Sequence, residues 1–339
     1  MTLIDDIVES RSVSVVGLEK NTGKTECLNY IIRNLPAGRV KVAVTSIGVD
    51  GETTDSVTGT SKPEIFLREG MLFSTSEKHY LQRRILSELL DVSDESTALG
   101  RVVTARALDY GNLLLSGPST GKGLGRWIRK METLGAGLTL IDGAISRLSS
   151  ASPAISEAMV LSTGAALSAN IAELVRKTAH TVGLIMAEKY SGPGYERMSG
   201  LEGGGIWNIC TDGSIRQVPS GMSALSLASV KDNLARGFAG IYVSGALTDR
   251  LVDRIIADGA GDGFEIVARD FTKVFVSPSC VARMERAGIM LKMLMTSRLL
   301  AVCVNPVSPN GIILDSSRLC GVLEEKLPVP VYDLFRLDS

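Results

Sequence analysis

Between positions 12 and 48 the chain reads as a strand, a glycine-bounded turn, a helix and a second strand. "SVSVVG" (12–17) is short, β-branched and without polar alternation, the pattern of a strand buried inside a sheet. "KTECLNYIIRNL" (24–35) sets Cys27, Leu28, Ile31, Ile32 and Leu35 at helical spacing, and Pro36 and Gly38 stop it. "RVKVAVTSIG" (39–48) is the next strand. Strand, helix and strand in succession form a crossover unit, which brings the two strands parallel and the helix onto one face. The expected class is therefore α/β, with a mostly parallel sheet flanked by helices.

The rest of the chain fills in that frame. Its 339 residues give room for one large or two ordinary domains, and 45% hydrophobic against 22% charged residues supports a sizeable core. From 60 to 117 the rhythm breaks. "EIFLREGMLFSTS" suggests a hairpin about Arg68-Glu69-Gly70, "SEKHYLQRRILSELLD" an amphipathic helix, and two strand-like runs flank Tyr110-Gly111. Helix 122–134 and the strand "GLTLIDG" (137–143) restore the parallel order, followed by strands at 158–163 and 181–188 with helix 165–178 between them. The glycine-rich, aperiodic stretch 190–207 is the candidate linker or mobile loop. Beyond it come a hairpin turning at Asp212-Gly213 and further strands and helices, with helix 280–293 and strand "LLAVCVNP" (299–306) last. The domain reading is thus 1–195, with a partly antiparallel insertion near 60–117, and a second C-terminal α/β unit over 205–339.

Charge and composition narrow the function. A net charge of −1 and the lack of a long basic block argue against nucleic-acid binding by bulk electrostatics. The N-terminal "MTLIDDIVESRS" has neither the basic start nor the apolar core of a signal peptide, and the longest apolar runs fall well short of the ~20 residues of a membrane helix, so a soluble cytoplasmic protein without membrane contact is expected. The five cysteines show no close pairing and read as buried thiols. The two histidines, His79 and His180, stand near no partner motif for metal or triad chemistry.

The turn itself, "GLEKNTGKTE" (17–26), carries chemistry. A polyphosphate is held without burying an unpaired ion when backbone N–H groups surround it, and glycines permit that wrapped conformation. Gly17 ends the strand; Lys20, Asn21 and Thr22 span the turn; Gly23 lets the backbone approach the phosphates. Lys24 reaches the terminal phosphates, Thr25 ligates Mg²⁺, and the first helical turn, which includes Glu26, directs its positive dipole end at the site. Five residues separate Gly17 from Gly23, one more than the common spacing of such loops. A second stretch, "GPSTGKG" (117–123), imitates the first, but Gly123 stands where the metal-binding hydroxyl belongs, so it is read as a structural turn.

Mg²⁺ takes oxygen ligands and keeps several waters, with a carboxylate beyond the loop hydroxyl. "LTLIDG" places Asp142 at a strand end after four apolar residues, which makes it the candidate metal partner, although Asp-Gly also caps turns. The loop after the second strand carries Asp50, Glu52 and Asp55; Asp50 leads as a second metal or water-orienting group because it lies nearest the strand, and a solvated acidic loop is the other reading. Lys62 and Arg147 can touch phosphate or be ordinary surface charges, and read as the latter. Asn305, in "VNPVSPNG" (304–311), can hydrogen-bond a base or substrate, or belong to a turn stiffened by Pro306 and Pro309. With no Asn-Lys-x-Asp stretch to read guanine, ATP is the expected nucleotide.

The five-residue spacing is similar to that of dethiobiotin synthetase, and "KNTGKT" resembles the molybdopterin-guanine dinucleotide accessory proteins, both P-loop NTPases. Over most of its length the chain resembles the small subunit of the lysine 5,6-aminomutase reactivases, through "SVVGLEKNTGKTECLNYII", "VTSIGVDGE", "TGTSKPEI", "LIDGAISRLSSASP", "LSTGAALS", "NPVSPNG" and "PVPVYDL" in order. That resemblance implies a P-loop NTPase fold and an ATPase with Mg²⁺ whose functional residues match Gly23, Lys24, Thr25 and Asp142. It also implies a job: ATP-driven release of damaged cobalamin from an adenosylcobalamin- and pyridoxal-phosphate-dependent aminomutase, together with a MutS-like second subunit. No D-x-H-x-x-G cobalamin pattern occurs in the sequence, so the cofactor is expected on the client. Two other readings of the same loop are an ATP-dependent ligase or kinase of the dethiobiotin synthetase type, acting on a small carboxylate or amino acid with Lys20 and Lys62 as the nearby lysines, and a binding module that senses nucleotide.

Overall fold

A computed structural model describes residues 2–36, 38–47, 64–144, 152–201, 203–218 and 238–333. The chain forms two units: Met1–Ala179 with Ser297–Ser339, and His180–Thr296.

The first unit opens with helix α1 (Leu3–Val8), strand β1 (Ser12–Gly17), helix α2 (Lys24–Asn34) and strand β2 (Val42–Ser46). Then come β3 (Ile65–Leu67), β4 (Leu72–Ser76), the short helix α3 (Glu77–Leu81), β5 (Ser87–Thr97), β6 (Gly100–Ala107) and β7 (Gly111–Leu113). Helix α4 (Gly121–Thr133), β8 (Leu138–Ala144), β9 (Ala158–Gly164) and helix α5 (Ile171–Ile185) follow, α5 running on past Ala179 into the second unit. The second unit contains α6 (Tyr195–Ser199), β10 (Ile206–Cys210), β11 (Ile215–Gln217), β12 (Phe238–Val243), β13 (Leu247–Thr248), α7 (Asp249–Ala257), β14 (Glu265–Ala268), β15 (Val274–Phe275), α8 (Pro278–Arg286) and β16 (Met290–Met293). The chain then re-enters the first unit with β17 (Arg298–Asn305), α9 (Ser316–Lys326) and β18 (Val331–Asp333).

Nine strands of the first unit form one sheet in the order β18-β17-β9-β1-β8-β2-β4-β6-β5. Its first seven strands run parallel; β6 and β5 add an antiparallel edge. Helices cover both faces. Cys27, Leu28, Ile31 and Ile32 of α2 pack with Val13, Val15, Val44, Leu138 and Leu140 on one face. Leu124, Trp127, Ile128 and Met131 of α4 pack with Ala43, Leu72 and Ile141 on the other. Each fully buried Leu or Ile contributes roughly 1.5–3 kcal/mol, which holds α2, and the turn before it, against the sheet. Among the described residues no helix is long and apolar enough to cross a membrane.

Five expectations change. The run 299–306 does not belong to a C-terminal unit. As β17 it pairs with β9, because a fully buried apolar strand needs cover on both faces and neighbours on both sides, and β18 and β9 supply the neighbours. The boundary near 195–205 moves to 180 and 297. Residues 181–185 continue α5 rather than starting a strand: Leu174, Val175, Thr178, Val182 and Ile185 fall on one buried face at helical spacing. The helix expected through 91 ends at Leu81, and Ser87 starts β5, because pairing with the β-branched β6 overrides the local helix preference of Glu88, Leu89 and Leu90. Likewise α8 stops at Arg286, with Gly288 left-handed just beyond it at φ 72°, and the apolar residues after it form β16.

Smaller differences follow the same logic. The turn at Arg68–Gly70 exists, but β3 pairs with β7 while β4 joins the large sheet, so the two strands are not a hairpin. The hairpin at Asp212-Gly213 forms between β10 and β11, with Gly213 at φ 77°. The stretch read as a linker is part of the second unit's core: Tyr190, Met198 and Trp207 are buried, and the Tyr190 hydroxyl donates to the Pro193 carbonyl at 2.7 Å. The second unit's sheet runs β11-β10-β12-β14-β16, with β12, β14 and β16 parallel.

Candidate functional site

In a parallel sheet all the carboxyl ends of the strands share one edge, and this edge collects the polar residues of the first unit's centre. From β17 to β2 the strand ends carry Asn305, Ser162 to Gly164, Gly17, Asp142 and Ser46. The turn 17–24 leaves β1 at the middle of this row.

The shape of the turn is set by three local features. The Thr22 hydroxyl donates to the Glu19 carbonyl at 2.9 Å, folding the turn back on itself. Asn21 takes a left-handed conformation at φ 62°, which asparagine tolerates better than most residues, and Gly23 does so at φ 88°. Gly17 admits the fold because a Cβ there would lie 2.6 Å from Thr22 Oγ1. Neighbouring strands then fasten it. Leu18 N–H donates to the Ser162 carbonyl at 2.9 Å, and the Ser162 hydroxyl donates to the Thr22 carbonyl.

Helix α2 starts directly from this turn. Its cap residue is Gly23, which has no side chain to bond the first N–H groups. Those donors and the helix dipole face the carboxyl edge of the sheet, an arrangement suited to an anion. Lys24 and Thr25 occupy the first turn, both half-buried, with Glu26 exposed beside them. The Thr25 hydroxyl makes no hydrogen bond with another described residue.

Asp142 reaches the turn from β8. In the ladder it stands opposite Val15 of β1 and Ser46 of β2, so it lies on the strand next to the turn's own. Lys24 Nζ is 3.0 Å from Asp142 Oδ1, with the two side chains 25% and 18% exposed. The contact is an ion pair without hydrogen-bond alignment: Asp142 Oδ1 is buried and lacks a hydrogen-bond partner. A buried carboxylate oxygen that is balanced in charge but not hydrogen-bonded is a ready ligand for a hard cation. Among the described residues no three acidic, histidine or cysteine side chains cluster as a metal cage. A metal here would be held by Asp142, by the Thr25 hydroxyl and by the oxygens of a bound anion, the sparse protein ligation typical of Mg²⁺.

Asn305 also comes to the turn. A Cβ on Gly23 would lie 2.7 Å from Asn305 Cβ and 3.1 Å from its Nδ2, so the asparagine sits directly against that glycine. Its Oδ1 accepts the Val307 N–H at 3.0 Å, which makes Asn305 part of the turn before Pro309 as well. Gly164 of β9 allows this closeness, since a Cβ there would meet the Asn305 carbonyl oxygen at 2.0 Å. Asp50, Glu52, Asp55, Lys62 and Arg147 lie outside the described residues. Lys20 is exposed at the top of the turn.

Sequence reasoning missed Ser162, Gly164 and Ser46, whose hydroxyl donates to the Asp142 carbonyl at 3.2 Å. Their signal was present: each is a small or hydroxylic residue where a buried apolar strand ends. Both histidines are engaged elsewhere: His79 Nδ1 is 3.1 Å from the Ser116 hydroxyl, and His180 Nε2 donates to the Val276 carbonyl at 2.9 Å. The second glycine stretch, 117–123, starts α4 with Thr120 as its cap, the Thr120 hydroxyl accepting the Gly123 N–H at 3.0 Å. No protein family, curated protein or solved structure matches the chain in comparisons of sequence and fold.

Proposed function

We propose that the chain is a Mg²⁺-dependent ATPase of the P-loop kind, and that it acts as the small, ATP-using subunit of a reactivating chaperone for a cobalamin-dependent aminomutase. The observation that carries the nucleotide part is the Lys24–Asp142 pair at 3.0 Å beside a helix start that no side chain caps. It sets a cation for phosphate, a carboxylate for metal and a row of free N–H donors around one point on the sheet edge. In this reading the N–H groups of the turn and of α2 would bind the phosphates, Lys24 would neutralise the charge that develops on them, and Thr25 and Asp142 would hold Mg²⁺, which would supply further positive charge to the phosphates. ATP is preferred to GTP because the sequence has no guanine-reading stretch.

The chaperone part rests on the ordered sequence resemblance to the reactivase small subunits, with the cofactor carried by the client enzyme and a MutS-like ATPase as partner. The deciding experiment is a coupled assay. ATP turnover by the purified chain is measured alone, with the partner ATPase, and with lysine 5,6-aminomutase inactivated by turnover. Mutase activity is followed after fresh adenosylcobalamin is added. Stimulated hydrolysis with recovery of mutase activity is the expected result. Hydrolysis that ignores both proteins, with no recovery, removes the chaperone role while leaving the ATPase. Rapid ATP use with a small carboxylate or amino acid alone would instead favour a ligase or kinase.

A further inference from the structure

We propose that Cys27 and Cys303 are a redox-sensing pair, which a peroxide converts to a disulfide that clamps helix α2 to strand β17 and closes the turn 17–24 against an anion. The pairing stands on geometry alone; its effect on nucleotide rests on the reading of residues 17–25 as a nucleotide site.

The two cysteines are 276 residues apart in sequence, and the Cys27 thiol donates to Cys303 Sγ at 3.4 Å. Both are fully buried in the core that holds α2 on the sheet. A disulfide sets its sulfurs at about 2.05 Å, so the bond needs an approach of roughly 1.4 Å.

The elements joined by this pair meet again at the turn. Cys27 lies in the first turn of α2, and its N–H donates to the Gly23 carbonyl at 2.9 Å. Cys303 stands two residues before Asn305 on β17, so the two side chains leave the strand on one face. Its neighbour in the ladder is Ser162, whose hydroxyl holds the Thr22 carbonyl. Gly23 and Asn305 are already packed together: a Cβ on Gly23 would lie 2.7 Å from Asn305 Cβ. Drawing Cys27 onto Cys303 presses the start of α2 toward β17 where there is no slack. The turn gives way, and the N–H groups of the helix start lose the arrangement that suits an anion.

The chemistry balances with a peroxide as oxidant. One thiol sulfur attacks a peroxide oxygen, the O–O bond breaks, and the displaced hydroxide leaves as water with the thiol proton. The second sulfur attacks the resulting sulfenic sulfur, the S–O bond breaks, and that hydroxide takes the second proton as a second water. The sulfurs together lose two electrons and the peroxide gains them. The hydrogen bond to Cys303, and then burial, push the Cys27 thiol well above its ordinary value, so the first step is slow. Contact makes the second step immediate, because the resolving thiol already touches the oxidised sulfur.

The test treats the full chain with hydrogen peroxide, blocks remaining thiols with N-ethylmaleimide in denaturant and maps peptides by mass spectrometry. A Cys27–Cys303 linked peptide that dithiothreitol removes is the expected product. The oxidised chain should bind mant-ATP with excess Mg²⁺ roughly tenfold more weakly than the reduced chain, and dithiothreitol should restore affinity. Its urea midpoint should rise, since the link closes a very long loop in the unfolded chain. Cys27→Ala should form no link and keep its affinity through peroxide. Peroxide that oxidises other thiols without linking this pair overturns the proposal. So does a linked chain that binds mant-ATP within about twofold of the reduced one, or an equal loss of affinity in Cys27→Ala. If neither redox form binds mant-ATP, the nucleotide reading falls and the midpoint decides the clamp: a rise that dithiothreitol reverses supports it, and no rise overturns it. Wild type before and after dithiothreitol is one chain compared with itself, so a folding failure of Cys27→Ala leaves the test intact.

Discussion

The chain contains the tripeptide Thr-Gly-Lys twice, at 22–24 and at 120–122, each time at the start of a helix packed on the large sheet. The two differ by register. At the first, the helix begins at Lys24, the cap is left-handed Gly23, and Thr22 turns its hydroxyl away to the Glu19 carbonyl. At the second, the helix begins at Gly121, and Thr120 is itself the cap, extended at φ −118° and ψ 149°, its hydroxyl closing on Gly123 N–H. A shift of one residue decides whether the helix start is open to an anion or closed by its own side chain. The carboxylate adds to the first site: Asp142 stands 3.0 Å from the first lysine. The same local sequence therefore carries opposite meanings, and the meaning is set by position relative to the helix, not by composition.

The most direct way to break this contrast is to remove the two lysines in turn. Lys24→Ala should lower affinity for Mg²⁺–ATP by roughly a hundredfold or more, because it deletes the phosphate cation. Lys122→Ala should leave it within about twofold, and equilibrium titration with mant-ATP measures both. Equal losses would show that the two helix starts are not functionally distinct. The glycines sharpen the same point. Gly23→Ala places a side chain at φ 88° and 2.7 Å from Asn305 Cβ, and should cost roughly 2–3 kcal/mol of stability together with binding. Gly121→Ala meets only the flexible tip of Ile155, whose Cδ1 would lie 2.9 Å away, at a helix position that alanine favours. Its denaturation midpoint should move by the equivalent of under about 1 kcal/mol.

How far the sequence already told these sites apart depends on distance along the chain. The open helix start was legible because strand, glycine, lysine and helix are contiguous. Asp142 was legible because an apolar run ending in aspartate signals a strand end. What fastens the turn was not legible. Ser162 lies 140 residues from Thr22, and Asn305 comes from a strand placed beside β9 only after the second unit has been made. No local pattern encodes that β17 returns to the first sheet, so the C-terminal boundary was misplaced; the turn at Asn305 was legible, but its place against Gly23 was not. The errors at 181–185 and 87–91 have another cause: short apolar runs fit either period, and long-range packing chose between them. At 288 the signal was overlooked, since a glycine just past a helical face marks its end.

A third helix start extends the comparison to the second unit. The Ser277 hydroxyl accepts the Cys280 N–H at 3.2 Å and donates to Asp249 at 2.7 Å, while Ser277 N–H donates to the same carboxylate. Hydrogen bonds from the Ser277 hydroxyl, and secondarily from its N–H, hold the Asp249 carboxyl below its usual value of 3.8. A depressed value means the stabilisation is present above pH 3.8 and is lost as pH falls through the lower folded value. Asp249→Asn should therefore cost about 1.5 kcal/mol near neutral pH and progressively less below about pH 4. Urea denaturation followed at several pH values checks it. A pH-independent difference would mean that the carboxylate charge is not what supports the cap.

The smallest effect returns to the closed start of α4. Thr120→Ala removes the hydroxyl that satisfies Gly123 N–H and should cost about 1 kcal/mol, the ordinary value of a lost cap. Because α4 buries Leu124, Trp127 and Met131 against the sheet face opposite α2, the loss should appear as a lower denaturation midpoint for the first unit. Nucleotide affinity should stay within about twofold of wild type, since the freed donors gain no left-handed glycine to shape a turn around a phosphate. The informative failure is a variant whose stability falls as expected while it acquires a second, Lys122-dependent site for inorganic phosphate. That outcome would mean the capping hydroxyl alone separates the two Thr-Gly-Lys sequences, and that Asp142, Ser162 and Asn305 contribute to affinity rather than to the existence of a site.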